Sequence, residues 1–301
     1  MDFGKVSAAA IDKIDFRLPD DPPLTRQVLA EAAKSQEAPV IYTGCAKWGR
    51  KEWVDKLYPP GTKERDFLSQ YVTQFNSIEL NATHYKIYEP ETIRRWSLTA
   101  GKRRFLFCPK FPQVISHEGN LYAAKELTAA FLESIRAFET HLGPCFLQFS
   151  EHFSPGRRDE LYTYLSSLPR DLPCYLELRH PQWFGDAAIR RELFELLRKL
   201  QLGAVITDTS GRRDCAHMEL PIPGAFVRFV GNNLHPTDYR RIDEWVLRIK
   251  SWLQQGLKQL YFFMHQHDEK DSPELCLYLI QALNKHCGTK LEAPRFQQRL
   301  F

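Results

Sequence analysis

The chain has 301 residues, 43% of them hydrophobic and 26% charged, and its 41 Lys and Arg against 37 Asp and Glu give a formal net charge of +4. That apolar share builds a core and excludes a disordered chain, no stretch approaches the ~20 apolar residues of a membrane span, and so mild a charge demands no polyanionic partner. A length of this kind suits two domains or one large α/β barrel.

Residues 1–38 are rich in Asp, Pro and Ala and read as an N-terminal arm, partly extended, with a short helix around Leu24–Lys34. The arm carries Asp2, Asp12 and Asp15 and has no apolar h-region, so it is not read as a secretory signal. A regular alternation follows. Short β-prone runs stand at 39–44, 76–81, 104–109, 145–149, 174–179, 203–208, 225–230 and 260–265. Helical periodicity marks 66–75, 127–141, 189–200 and 245–253, and no two strands are close enough for a hairpin. Eight strands alternating with helices over 39–285 predict an α/β fold, a single (β/α)8 TIM-like barrel, with 286–301 as a C-terminal tail. The competing doubly wound sheet would carry a glycine-rich phosphate turn, and neither G-x-G-x-x-G nor G-x-x-x-x-G-K-[ST] occurs. The seven cysteines are odd in number and form no C-x-x-C pair, which fits a reduced, cytoplasmic address better than a disulfide framework.

In such a barrel the site is built at the C-terminal strand ends. Alternation turns Glu79 and Asn81 on strand 2 toward the axis, with Ile78 and Leu80 toward the helices. Lys110 ends strand 3, Gln148 lies on strand 4, Glu177, Arg179 and His180 end strand 5, Asp208 ends strand 6, Arg228 lies on strand 7 and His265 on strand 8. Eight of the ten histidines (84, 117, 152, 180, 217, 235, 265 and 267) fall just after a strand. Burying Glu177 and Arg179 on one strand face costs several kcal/mol unless they are paired or solvated, and a catalytic cup is one reason to keep them.

At these residues the sequence resembles the YecE-like family, domain-of-unknown-function family 72, from about Ile41 to Leu283. The likeness is carried by Gly44-Cys45-Ala46-Lys47-Trp48, by Phe75 to Tyr85, by Pro90-Glu91-Thr92 with Trp96, and most specifically by Glu177-Leu178-Arg179-His180-Pro181-Gln182-Trp183-Phe184. The resemblance implies a TIM-like barrel and no reaction. Four places depart from the family pattern: Lys47 replaces a glycine, His84 stands where many members have Phe, Arg228-Phe229-Val230-Gly231 lacks a histidine usual after strand 7, and His265-Gln266-His267-Asp268 ends strand 8 where many members carry asparagines.

The chemistry first expected is that of an enzyme acting by acid/base catalysis on a phosphorylated or other anionic small molecule, its class (hydrolase, lyase or isomerase) unresolved. Glu79 and Glu177 would form the acid/base pair, their environments pushing their pKa values apart, with Asp208, His180 and Lys110 as further catalytic candidates. Lys110, Arg179 and Arg228 would hold anionic oxygens. Gly231 and Asn232 occupy a turn where barrels often seat a phosphate. Gly44, Lys47, Trp48, Asn81, His84, Tyr85, Gln148, Trp183 and His265 complete the substrate-binding candidates, Trp48, Tyr85 and Trp183 as pocket walls. A second reading adds a divalent metal on some of Glu79, His84, Glu177, His180, Asp208 and His265, as in metal-dependent phosphodiester hydrolases, although no local motif fixes such ligands. A third makes the chain a nucleic-acid repair-type barrel through Lys47, Arg50, Lys51, Arg157, Arg158, Arg212 and Arg213, and is disfavoured by the acids sharing those loops. A Schiff base through Lys110 and a non-catalytic ligand-binding barrel are the remaining alternatives. A small anionic ligand is the expected partner and a membrane is not; the sequence is silent on oligomeric state.

Overall fold

Near-continuous apolar runs are what strands covered on both faces require, and each run predicted above forms a strand. The computed structural model describes residues 3–297. Its strands are β1 (Val40–Cys45), β2 (Ser77–Leu80), β3 (Leu106–Pro109), β4 (Cys145–Gln148), β5 (Cys174–Glu177), β6 (Gly203–Asp208), β7 (Gly224–Gly231) and β8 (Gln259–Gln266). All ladders are parallel. Six strands form a curled sheet in the order β1-β8-β7-β6-β5-β4, and β2 and β3 form a separate pair. The longest ladder pairs Gly224–Gly231 residue for residue with Gln259–Gln266.

The β2–β3 pair lies along both free edges of the larger sheet, and at each junction something other than a regular ladder satisfies the backbone. Between β1 and β2 the Asn76 side chain accepts from Thr43 N (2.7 Å) and donates to Ile41 O (2.9 Å). The Tyr71 hydroxyl accepts from Cys45 N (2.7 Å) and donates to Ser77 O (3.0 Å). A Cβ at Gly44 would stand 1.9 Å from Ser77 O, so only glycine allows this approach. Between β3 and β4 there are isolated bridges, Phe107 with Leu142 and Lys110 with Phe146.

The strands' inner faces stack Tyr42, Cys108, Phe146, Tyr175, Val205, Phe226, Tyr261 and Phe263 into one apolar layer. The outer faces, including Ile78 and Leu80, join the larger core beneath the helices. The predicted helices appear as Phe67–Tyr71, Lys125–Arg136, Ala187–Leu200 and Pro236–Gln255, joined by Pro90–Ala100, Arg158–Ser167 and Ser272–Cys287. Asp186 caps one of them, its Oδ1 accepting from Ala188 N and Ile189 N. None is long and apolar enough to cross a membrane. The seven cysteines are free thiols, six of them buried.

The arm contains helices Ala8–Ile11 and Pro23–Ala32 and is fastened along the β6–β7 side. Asp21 Oδ1 accepts from Arg248 Nη1 (2.6 Å) and Trp252 Nε1 (3.0 Å). Thr25 Oγ1 donates to Met218 O and accepts from Leu220 N. Phe16 lies against the guanidinium of Arg241 at 4.8 Å.

Candidate functional site

Above the apolar layer, the inward position nearest the C-terminal end of each of several strands is polar. A buried charge must find a partner or neutralise, and here the centre is Arg228 on β7, which is wholly buried. Its Nε and Nη2 donate to the two oxygens of Glu79 on β2, each at 2.8 Å. Its Nη1 donates to Glu177 on β5 at 2.7 and 3.0 Å. Glu177 Oε1 also accepts from Arg179 Nε (2.7 Å) and Thr207 Oγ1 (3.1 Å). Glu79 Oε1 accepts from Asn81 Nδ2 (2.8 Å). On β8, His265 lies between two carboxylates, with Nε2 3.0 Å from Glu79 Oε2 and Nδ1 3.3 Å from Glu269 Oε1; Glu269 in turn accepts from Ser272 Oγ at 2.7 Å.

These contacts set the protonation states. Burial alone would raise the Glu79 carboxyl, but Arg228 and His265 hold it well below its ordinary value. Burial is likewise overcome at Glu177 by Arg179 and Arg228, which bring it to about 2. Burial would lower Arg228 and His265, and the carboxylates raise both instead. Glu79 and Glu177 therefore share one direction, both ionised across the neutral range. The expected pair of carboxyls with separated pKa values does not form, because one guanidinium bridges both.

Beside this neutralised centre lies an arc of cations and donors without acceptors among the described residues. Lys110, at the end of β3, is 7% exposed, and its ammonium makes no hydrogen bond or ion pair with the described residues. Burial, reinforced by Arg228, lowers it to about 7. Gln148 Nε2 on β4 and Arg179 Nη2 after β5 are buried and have no hydrogen-bond partner among the described residues. His84 and His117 stand with ring centroids 5.0 Å apart. Burial and the Lys110 charge lower each to about 4, so both are neutral at pH 7. His84 Nδ1 donates to Phe111 O at 2.8 Å, which leaves Nε2 as its acceptor nitrogen.

Other sequence candidates fall elsewhere. Asp208 is turned outward, not into the cup: its carboxylate accepts from Trp245 Nε1 (2.7 Å) and pairs with Arg241 (3.0 Å) and Arg213. Overcoming burial, those arginines hold it at about 2. The terminal residue of β6 has outward parity, and strand-end position alone concealed that. His180 is half-buried, its Nδ1 accepting from Gln182 N within the turn. Trp183 is wholly buried and donates to Phe153 O (2.7 Å), so it is core and not a pocket wall. Trp48 packs edge-on against Trp96, and Tyr85 is 74% exposed. Lys47 is exposed. Gly44 serves the β1–β2 approach. A Cβ on Gly231 would meet Gln266 at 2.7 Å, and Asn232 is tied to Asp238 in the following helix and to Ser210 after β6. Of the basic loop residues, Arg50, Lys51, Arg157, Arg158, Arg212 and Arg213 each have an acidic partner within 4.0 Å.

Among the described residues no group of three or more His, Cys, Asp or Glu is placed to hold a metal ion. The Arg228 guanidinium fills the space between Glu79 and Glu177 that a divalent ion would need. Sequence reasoning passed over Thr207 as a site residue, although its inward parity on β6 was legible, and Glu269, which lies four residues after His265. A cavity of about 730 Å³, lined by Val40, Phe75, Asn76, Arg103 and Arg104 among others, opens away from this cup, at the N-terminal strand ends.

Comparisons with known proteins agree with this architecture. The family described as "Protein of unknown function DUF72" matches residues 42–298. The chain is 28% identical to the UPF0759 protein YecE of Escherichia coli (strain K12) over 264 residues, 82% of this chain and 93% of that protein. It is 24% identical to the UPF0759 protein YunF of Bacillus subtilis (strain 168) over 152 residues, 48% and 53% of the two. A crystal structure of a DUF72 family protein from Enterococcus faecalis V583 superposes with a TM-score of 0.65 at 19% identity, covering 83% of this chain and 99% of that one. One from Thermotoga maritima MSB8 gives 0.61 at 20% identity, covering 81% and 99%. At these identities the structural likeness speaks for the fold.

Proposed function

The chain belongs to the DUF72 family of proteins of unknown function, and from that premise we propose that it is an enzyme performing acid/base chemistry on a small anionic molecule. We read the six-stranded sheet and the β2–β3 pair as one eight-stranded barrel, whose C-terminal rim is where such folds bind substrate. The observation that carries the reading is the donor arc at the ends of three consecutive strands, where Gln148 Nε2 and Arg179 Nη2 are buried with no hydrogen-bond partner among the described residues and the ammonium of the largely buried Lys110 pairs with none of them. A buried donor left unsatisfied costs about 1–3 kcal/mol, a cost that ligand oxygens would remove. The free edge of a guanidinium suits carboxylate or phosphate.

In this reading Lys110 is the proton-transfer group. With a pKa near 7 it exists as both amine and ammonium at neutral pH, the condition for taking and returning a proton. Glu79 and Glu177 fix Arg228 and Arg179, and the neutral imidazoles of His84 and His117 supply a second acceptor at the rim.

Inorganic sulfate, whose charge is constant over the range, tests the anion site. Calorimetric titration between pH 6 and 9 is expected to show affinity falling as pH rises through about 7, as the Lys110 charge is lost. Lys110→Met should bind more weakly and flatten that dependence, and Arg179→Met should weaken binding by about tenfold or more. Equal affinity of wild type and both variants would remove the site. Turnover of a panel of phosphorylated and carboxylated small molecules then separates an enzyme from a binding protein.

A further inference from the structure

The candidate site is roofed by a segment outside the region the family shares. The family match starts at residue 42, yet the Phe3 ring lies 4.1 Å from the guanidinium of Arg179 and 5.2 Å from that of Arg212. Arg212 is itself held to the site, donating to the Arg179 carbonyl. The segment has a fitted seat. Gly211 N donates to Gly4 O at 2.7 Å, and Thr209 Oγ1 donates to Phe3 O at 3.2 Å. Gly4 has φ +69°, and a Cβ there would stand 3.0 Å from Thr209 Cβ; a Cβ on Gly211 would stand 3.0 Å from Gly4 O. Two glycines thus let backbone meet backbone at the rim. The Arg179 guanidinium has two of its parts engaged: Nε goes to Glu177 and the face to Phe3, while Nη2 has no hydrogen bond among the described residues.

We propose that Phe3 is a specificity-determining residue, a wall that the arm adds to the anion site and that limits it to small ligands. The proposal rests on the anion-site reading above. An aromatic ring stacked on the guanidinium face takes none of the in-plane Nη2 hydrogens, which it leaves to an oxyanion, while its bulk narrows the space for a larger ligand. Because the family match starts at residue 42, this wall belongs to the part of the chain outside the shared region.

Two anionic aldehydes of different size test the wall, both reporting on Lys110. Its neutral amine adds to the aldehyde carbon and water leaves to give the imine; borohydride then delivers hydride to the imine carbon, fixing a secondary amine that peptide mass spectrometry locates. Glyoxylate is the small probe and pyridoxal 5′-phosphate the large one, each applied to the full-length chain. In Phe3→Ala, labelling of Lys110 by pyridoxal phosphate is expected to rise about tenfold or more, and by glyoxylate less than about threefold. Equal labelling of wild type and Phe3→Ala by pyridoxal phosphate would overturn the wall, as would an equal rise with both probes, which means general loosening. No labelling of Lys110 by either probe in either protein would instead fail the underlying anion-site reading. A second variant, Phe3→Leu, keeps an apolar side chain of smaller bulk: its labelling by pyridoxal phosphate should fall between those of wild type and Phe3→Ala, and a rate at or above that of Phe3→Ala counts against the proposal.

Discussion

Arg228 shows how one side chain fixes the chemistry of its neighbours. Its guanidinium meets both Glu79 and Glu177, so replacing it with methionine strands two buried carboxylates. Losing one partner of such a network costs about 3–5 kcal/mol. Denaturant unfolding of Arg228→Met at pH 7 should show a loss of that size, with part regained when Glu79→Gln and Glu177→Gln are added; a loss below ~1 kcal/mol would mean the network is solvated. Lys110 gives the opposite linkage. Its folded pKa, about 7, lies below the ordinary 10.5. Between those values the unfolded chain binds more protons, so this group makes stability rise with pH from about 7 to 10.5 and contributes a constant penalty below. Lys110→Met should therefore be more stable than wild type at pH 6, the difference shrinking toward pH 10; a difference independent of pH would contradict the lowered pKa. The identities of Arg228, Glu79, Glu177 and Lys110 as site candidates were legible from strand position and parity. Their pairing was not, because it joins residues 149 and 51 positions apart.

At the scale of elements, the eight strands could be read because buried parallel strands are short, apolar and separated by crossover lengths. The junctions between them could not. Asn76, Tyr71 and Gly44 make the β1–β2 contact through side chains and close approach, with no repeating signal in sequence. Gly44→Ala is expected to push β2 from β1 and lower stability by about 1–3 kcal/mol, visible as lost amide protection at Thr43 and Cys45. Unchanged protection there would show that the junction can widen freely. The same scale explains Asp208. Its position at a strand end resembles that of the site residues, but its side chain faces the Pro236–Gln255 helix, where Arg241 and Trp245 hold it. Parity separates an anchor from a site residue.

Taken as a whole molecule, the chain lays its arm from the β6–β7 side to the rim of the cup. Asp21 pins the middle of the arm through Arg248 and Trp252. Asp21→Ala should free the arm locally, costing about 1–3 kcal/mol in that segment's opening while the strands keep their protection from hydrogen exchange. Equal loss of protection across β6 to β8 would make the arm part of the global fold. The mild +4 charge also acquires a location. Most loop cations are neutralised by neighbouring acids, whereas the Lys110 ammonium and Arg179 Nη2 have no partner among the described residues. Sequence by itself determined the family, the strand order along the chain and the residue types at the strand ends, since periodicity and local motifs are properties of neighbouring residues. Only the tertiary structure decided which carboxylates share Arg228, which donors lack acceptors, and that Phe3 covers Arg179. Each of those depends on contacts between residues far apart in the chain, made where the curled sheet brings its strand ends together.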